Sequence, residues 1–195
     1  MVLAGGQSTR MGRNKALLRI TPEGPTLVET VVARLQAAGM GAPLLVTNTP
    51  DEYAFLGLPM VADEIPGGGP LGGVLTGLVH SPSGRVFAIG CDMPFLSPAL
   101  VRYMASIPDE ADVIIPSWTN PSGHPQLETL HAIYSHRCIE PVRARIASGR
   151  LKLVALLEDV QVRYLSEAEL RTYDPKLDSF RNINTPEEWA EVQSE

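Results

Sequence analysis

The sequence is short of several things, and each shortage excludes something. It has two cysteines, Cys91 and Cys138, too few for a disulfide framework; both are expected as reduced thiols in a cytoplasm. It has no excess of basic residues. Sixteen Lys and Arg against 22 Asp and Glu leave a formal charge of −6, which argues against a general nucleic-acid surface and requires any polyanion site to be local. It has no apolar run of membrane-spanning length and no basic start followed by a hydrophobic stretch, so neither a membrane span nor a leader is expected. Repeats, heptads and low-complexity tracts are also missing. What remains is the expectation of one cytoplasmic domain over residues 1–195, whose 44% hydrophobic content is ordinary for a globular protein.

Two familiar phosphate-binding signatures are absent as well. Five residues separate Gly6 from Gly12, and Arg13 follows, so the Walker spacing fails; adjacent Gly5 and Gly6 do not supply the dinucleotide fingerprint either. Yet Leu3–Lys15 is the most informative stretch of the chain. Met1-Val2-Leu3 reads as the end of a buried strand, and Ala4, Gly5 and Gly6 follow at once. Without Cβ atoms, the glycines let backbone N–H groups close around a ligand. Ser8 and Thr9 add hydroxyls, and Arg10 and Lys15 place two cations beyond the loop. A strand feeding a glycine turn that ends in cations suits a polyanion such as a nucleoside triphosphate. By residues alone, an ordinary strand-to-helix turn with solvated cations also fits.

The next elements alternate. Thr26 and Glu29 form a capping-box pattern ahead of Val28, Val31, Val32 and Leu35 at helical spacing, and Gly39 ends that helix. Leu44-Leu45-Val46 reads as a fully buried strand of a parallel sheet. Asn48 follows it directly, either as a turn asparagine or as an amide facing the crevice beyond the strand ends. Thr49-Pro50-Asp51-Glu52 predicts a second capped, proline-led helix. A third apolar run, Met60-Val61-Ala62, ends at Asp63. Gly67–Gly73 then holds five glycines in seven residues and reads as a loop that approaches a bulky ligand closely or moves over it. Val86-Phe87-Ala88-Ile89 is a buried strand ended by Gly90-Cys91-Asp92-Met93-Pro94. A carboxylate there can hold Mg²⁺ once substrate phosphates complete the ligand set, or it can serve as a plain turn aspartate. Cys91 reads as small and buried, not as a nucleophile.

Farther along, Ser97-Pro98 caps a helix, and Val113-Ile114-Ile115 is a strand expected to stop at Pro116. Trp118–Pro125 reads as a polar surface loop. His131 is expected to be a structural or substrate-contacting histidine, and His124 a loop contact. Ser135–Gly149 reads as helix with a kink or restart at Pro141, Leu151–Leu157 as a further helix, and Val160–Leu165 as an edge strand before a Ser166–Glu169 capping box. Near the end, Asn182 and Asn184 alternate, so in an extended segment they point the same way.

Four of these stretches together resemble one family. Leu-Ala-Gly-Gly-x-Ser-x-Arg-Met-Gly-x-x-Lys over 3–15, Asp63 with the run Gly-Pro-Leu-Gly-Gly, Cys-Asp-x-Pro at 91–94 and Phe-x-Asn-Ile-Asn-Thr-Pro-Glu-Glu at 180–188 stand in the order found in the molybdenum cofactor guanylyltransferases, within the nucleotidyltransferase superfamily. One departure is Arg13-Asn14, where an acidic residue often precedes the lysine. The resemblance implies a three-layer α/β/α Rossmann-like fold with a mostly parallel sheet and an antiparallel edge. It implies transfer of GMP from GTP to the phosphate of molybdopterin, with pyrophosphate released and Mg²⁺ on Asp92. Arg10 and Lys15 would steady the phosphates, and Leu3, Ala4, Gly5, Gly6, Asn48 and Asp63 would bind the nucleotide. Asn182 and Asn184 would face the pterin acceptor. It also leaves room for proteins that deliver or receive the molybdenum cofactor. The rivals are a cytidylyl- or sugar-nucleotidyltransferase of the same fold, a non-catalytic nucleotide-binding module, and a dehydrogenase, the last disfavoured by the missing fingerprint.

Overall fold

Short buried apolar runs become short strands, and the order in which they pair sets the level of everything that follows. The computed structural model describes residues 1–5, 14–19, 21, 23–120 and 122–183; Gly6, Arg10 and Asn184 lie outside them. The strands are β1 (Val2–Leu3), β2 (Leu45–Val46), β3 (Met60–Val61), β4 (Arg85–Gly90), β5 (Val113–Thr119), β6 (Pro125–Leu127), β7 (His131–Ser135) and β8 (Val162–Leu165). They form one sheet in the order β3-β2-β1-β4-β7-β5-β6, with β8 also pairing β5. Strands β3, β2, β1 and β4 are mutually parallel, as is the pair β5–β8. The antiparallel edge is β6, and a second reversed strand, β7, lies inside the sheet between β4 and β5.

Side-chain parity divides the core into two layers. Phe87 and Ile89 of β4, Ile114 of β5 and Ile133 of β7 pack on one face against α1 (Leu27–Ala37), through Val28, Val31, Val32 and Leu35. Two further helices share that face. Leu100, Val101 and Met104 come from the one at Pro98–Ser106, and Leu170 from the one at Glu167–Tyr173. Val86 and Ala88, Val113 and Ile115, and Ala132 and Tyr134 point the other way. There they meet α2 (Gly69–His80) and the helix Ile139–Ala147. Helix, sheet and helix thus make three layers. No helix among the described residues is long and apolar enough to cross a membrane.

Several local expectations change. The glycine-rich run is not an open loop: from Gly69 onward it is the first two turns of α2. Glycine weakens a helix by about 1 kcal/mol relative to alanine, but here it permits contact. An added Cβ would meet Asp63 Oδ1 at 3.2 Å from Gly72 and Leu3 Cδ2 at 3.1 Å from Gly73, so the helix lies directly against the ends of β3 and β1. Thr49 does not cap the 3-10 helix Pro50–Leu56. Its N–H donates to Thr47 Oγ1 (3.2 Å), and Glu52 instead accepts from Asn14 Nδ2 (2.5 Å). Strand β5 runs past Pro116, because that proline sits where β5 changes partner from β7, paired through Ile114, to β6, paired from Ser117. Trp118–Pro125 is therefore a hairpin, pinned by Asn120 Oδ1 accepting from the N–H groups of Ser122 and His124. Pro141 lies in the first turn of Ile139–Ala147, after a 3-10 turn at His136–Cys138, where its missing N–H leaves no gap. Leu153–Glu158 is a 3-10 helix, and β8 pairs only β5 among the described strands.

Both capping boxes form. Glu29 N–H donates to Thr26 Oγ1 (3.3 Å) while Thr26 N–H donates to Glu29 Oε2 (2.7 Å). The second contact holds the Glu29 carboxyl below its usual range. Thr26→Ala is expected to destabilise the protein by about 1 kcal/mol, lowering the melting temperature by about 2–4 °C. An unchanged urea midpoint would show that α1 is held by packing alone.

Candidate functional site

The register across β1 assembles the site. Leu3 pairs with Val46 on one side and Gly90 on the other, and Val46 pairs with Val61, so four parallel strands end on one rung. The residues that follow emerge together: Ala4 and Gly5 after β1, Asn48 after β2, Asp63 after β3 and Asp92 after β4. The chain winds from β1 outward to β3 and then returns to β4 on the other side of β1, which makes the β1–β4 boundary a topological switch point, where ligands bind in open α/β sheets. A cleft of about 520 Å³ opens there. Leu3, Ala4, Gly5, Lys15, Asn48, Asp63 and Asp92 all line it. Gly6, Arg10 and Asn184 lie outside the described residues. Asn182 is not part of the lining, but its segment docks beside it through Ile183 N–H donating to Asp92 O (3.1 Å).

Lys15 opens a short 3-10 turn, Lys15–Leu17, whose position is set by Asn14. Asn14 Oδ1 accepts from Ala16 N–H (3.2 Å), and its Nδ2 donates to Glu52 Oε2 and to Tyr53 Oη (2.9 Å). Thus Asn14, which takes the place of the acidic residue that often precedes this lysine, anchors the turn to the helix after β2. From there Lys15 Nζ donates to Asp92 Oδ2 at 2.5 Å, with both side chains about 20% exposed. Gly90 makes room for this carboxylate, since a Cβ at that position would collide with Asp92 Oδ1.

On the β3 side, polar groups fix one another. Asp63 N–H donates to Asn48 Oδ1 (2.9 Å), so the amide nitrogen of Asn48 is turned away from Asp63. Asp63 Oδ1 accepts from Ile65 N–H (3.1 Å) and from the buried Thr76 hydroxyl (3.2 Å), which leaves Oδ2 as the less engaged oxygen. Because β7 runs backwards, its leading end also reaches the rung. Ile89 pairs with His131, and Gly90 N–H donates to Leu130 O (3.3 Å). Just before it, Glu128 Oε1 accepts from Leu130 N–H (3.0 Å). Burial raises the Glu128 carboxyl above its usual range, and the neighbouring charge of Asp92 adds to this. Asn182 Oδ1 is buried without a hydrogen-bond partner.

Other candidates separate. The Cys91 thiol is pushed up to about 12 by burial, with Asp92 adding to the effect, so it is an inert wall of the cleft. His131 is fully buried, edge-on to Phe87 (5.0 Å) and Phe180 (5.3 Å), with both ring nitrogens unpartnered; it is structural. His124 is exposed at the hairpin tip. No group of three or more His, Cys, Asp or Glu residues among the described ones could enclose a metal. Asp92 offers a single carboxylate at the cleft, which fits a nucleotide-borne divalent ion that takes one or two protein carboxylates and completes its shell with phosphates and water.

Comparison with known proteins gives this geometry a family. Residues 1–163 match the MobA-like NTP transferase domain. The chain belongs to that family. Within it, the chain is 38% identical to a probable molybdenum cofactor guanylyltransferase of Chloroflexus aggregans, over 100% of this chain and 92% of that one. It is 32% identical to the molybdenum cofactor guanylyltransferase of Desulfosudis oleivorans, over 100% and 93%. Among solved structures, molybdopterin-guanine dinucleotide biosynthesis protein A of Archaeoglobus fulgidus superposes with a TM-score of 0.79 at 26% identity, covering 99% of this chain and 95% of that one. A 4-diphosphocytidyl-2C-methyl-D-erythritol synthase of Anaerococcus prevotii, with a TM-score of 0.71 at 14% identity, shares the fold. The chain is thus a nucleotidyltransferase of the MobA-like family, with that family's mixed sheet.

Sequence reasoning passed over Asn14, Thr76 and Glu128. Thr76 sits inside a helix and Glu128 before a strand whose reversal no local pattern marks. Only Asn14 carried a signal, as the residue that departs from the acidic pattern before the lysine.

The buried, neutral His131 has a consequence for acid stability. Burial lowers its pKa from 6.5 to about 3. Between those values the unfolded chain binds a proton that the folded chain excludes, so stability falls as pH drops from about 6.5 towards 3, by up to about 1.4 kcal/mol per pH unit. His131→Leu is expected to flatten this part of the stability–pH curve in urea titrations. An equal slope in both proteins would place the acid-sensitive group elsewhere.

Proposed function

We propose that this nucleotidyltransferase moves GMP from GTP to the terminal phosphate of molybdopterin, with Mg²⁺, in the cytoplasm. The observation that carries the reading is the order of groups along one rung. Asp63 follows β3, Asn48 follows β2, the Ala4–Gly5 backbone follows β1, Asp92 with Lys15 follows β4, and Glu128 and Asn182 stand on the β7 side. Three strand spacings, roughly 14 Å, separate the Asp63 end from the Asp92 end, a length suited to a nucleotide laid from base to phosphates. The names of the relatives support guanine as the base and molybdopterin as the acceptor. The buried, unpaired state of Cys91 and Cys138 supports the compartment.

The reaction needs no protein nucleophile. A phosphate oxygen of molybdopterin forms a bond to the α-phosphorus of GTP, the bond from that phosphorus to the bridging oxygen breaks, and pyrophosphate leaves with the electron pair. The chain's task is positioning and charge neutralisation. Asp63 Oδ2 accepts from the N1–H and 2-amino group of guanine, with Thr76 and Ile65 N–H holding the other oxygen. Asn48 offers its amide to base or ribose. Leu3, Ala4, Gly5 and Gly6 contribute backbone contacts. Lys15, with Arg10, neutralises the departing pyrophosphate. Asp92 would hold Mg²⁺ together with the substrate phosphates, and the ion would supply positive charge at the phosphate oxygens. Lys15 then exchanges its contact with Asp92 for the phosphates. Asn182 and Asn184 receive the pterin.

Pyrophosphate release measured with GTP, ATP and CTP, with and without molybdopterin, tests the reading. Release is expected with GTP and to depend on the acceptor, because a site built to hydrogen-bond a substrate group rejects analogues lacking it. Equal rates with CTP would point to a cytidylyltransferase, and tight GTP binding without release to a binding module. Asp92→Asn is expected to lower turnover by on the order of 10²-fold or more. Gly90→Ala should displace the same carboxylate, so turnover should fall while the melting temperature holds. Normal turnover in both variants would make Asp92 a turn residue only.

A further inference from the structure

Tyr53 is fully buried, and its ring belongs to the same apolar core as Val2, Val28 and Leu45, a place phenylalanine would fill as well. A buried hydroxyl costs free energy unless it is hydrogen-bonded, so this one is accounted for by the groups it meets. It accepts from Asn14 Nδ2 (2.9 Å), and its single proton is shared between Asn14 Oδ1 (3.3 Å) and Ala4 O (3.4 Å). Ala4 follows β1, and Asn14 caps the turn that begins at Lys15. Both residues line the cleft, as do their neighbours Gly5 and Lys15. Glu52 also accepts from Asn14, yet among the described hydrogen bonds the Tyr53 hydroxyl is the only link between the two segments.

We propose that Tyr53 is a positioning residue for the polyphosphate: its hydroxyl clamps the backbone leaving β1 to the Lys15 turn, and so fixes the spacing between the Ala4–Gly5 backbone and Lys15. The inference rests on the phosphate-binding role given to those groups above and extends it to a residue outside the recognised motifs. Tyr53 itself does not line the cleft; its effect passes through Ala4 and Asn14. The residue type fits the task, because a hydroxyl both accepts and donates and one atom can serve an amide nitrogen and a carbonyl oxygen. Spacing matters here, since a group held about 1 Å from its productive position can cost roughly 10²-fold in rate.

Tyr53→Phe keeps the ring and opens the clamp. KM for GTP is expected to rise about 10-fold, an effect of the size of one lost hydrogen bond. The inhibition constant of guanosine, which carries no phosphate, and KM for molybdopterin should be unchanged; a general loosening of the fold would move all three together. The decisive measurement is the double-mutant cycle. In an Asn14→Ala background, where the clamp is already open, Tyr53→Phe should raise KM for GTP much less than it does alone. A rise in all three constants, additive effects of the two substitutions, or a fall in melting temperature with a normal KM for GTP would each overturn the proposal. Asn14 is only half-buried, so Asn14→Ala tests the same clamp should Tyr53→Phe not fold: the selective rise in KM for GTP is expected there too, and its absence overturns the proposal. If Lys15→Ala leaves KM for GTP and turnover unchanged, the phosphate reading of Lys15 itself has failed. If Lys15→Ala impairs them and Tyr53→Phe leaves KM for GTP normal, only the positioning role has failed.

Discussion

The hydrogen-bonded rung that joins Val61, Val46, Leu3 and Gly90 is the constraint on which the rest depends. Each of the three outer-left strands holds only two residues, so a slip of one position would consume half a strand and turn every following side chain to the other face. The slip is resisted by burial on both faces: Val2 and Leu45 are fully buried, and the two helical layers read opposite parities of β4, β5 and β7. With that register fixed, a carboxylate, an amide, a glycine backbone and a second carboxylate leave the sheet at one height, although they are far apart in sequence.

Within that frame, Lys15 and Asp92 occupy each other. Opposite charges 2.5 Å apart in a cleft, each about one-fifth exposed, form the pair that on the proposed reading a polyanion and its metal would take over. In the proposed reaction the phosphates would present Lys15 with more negative charge than one carboxylate does, and the released carboxylate would become available to a cation. The exchange keeps charges paired at each stage, which matters where partial burial makes an isolated charge costly. The backbone on both sides of the pair is tied down. The Lys15 turn is pinned by Asn14 to Glu52 and Tyr53, and Asp92 is pinned through its carbonyl to Ile183.

How much of this was legible in the sequence depended on whether the cause was local. Asp92, Asn48 and Asp63 stand directly after buried apolar runs, so strand-end logic located them before any pairing was known. Thr26–Glu29 and Ser166–Glu169 carry their capping chemistry within four residues. The glycines at 67–73 misled because composition displays glycine's freedom but hides its smallness. Their task here is to let α2 touch Leu3 and Asp63, a contact between segments about 10 and 70 residues apart. Pro116 misled in a similar way, since a proline's missing N–H matters only where a partner needs it. Glu128 was invisible because only the reversal of β7 brings it near Asp92, and no residue in the strand announces its direction.

That reversal also brings segments of both chain directions to one edge of the sheet. A wholly parallel sheet offers its carboxyl edge to ligands through the loops that leave strands, and here those loops supply Gly5, Asn48, Asp63 and Asp92. An antiparallel strand placed beside β4 brings its incoming segment to the same edge, so Glu128 and Leu130 approach from the opposite chain direction. The arrangement adds groups to this edge without lengthening any loop that follows a parallel strand. It also places Glu128 within reach of the Asp92 charge, where on the proposed reading the second substrate would arrive. On the proposed reading, a nucleotide half built from parallel strands and an acceptor half beside a reversed one can change separately, sharing only the β4 strand end between them.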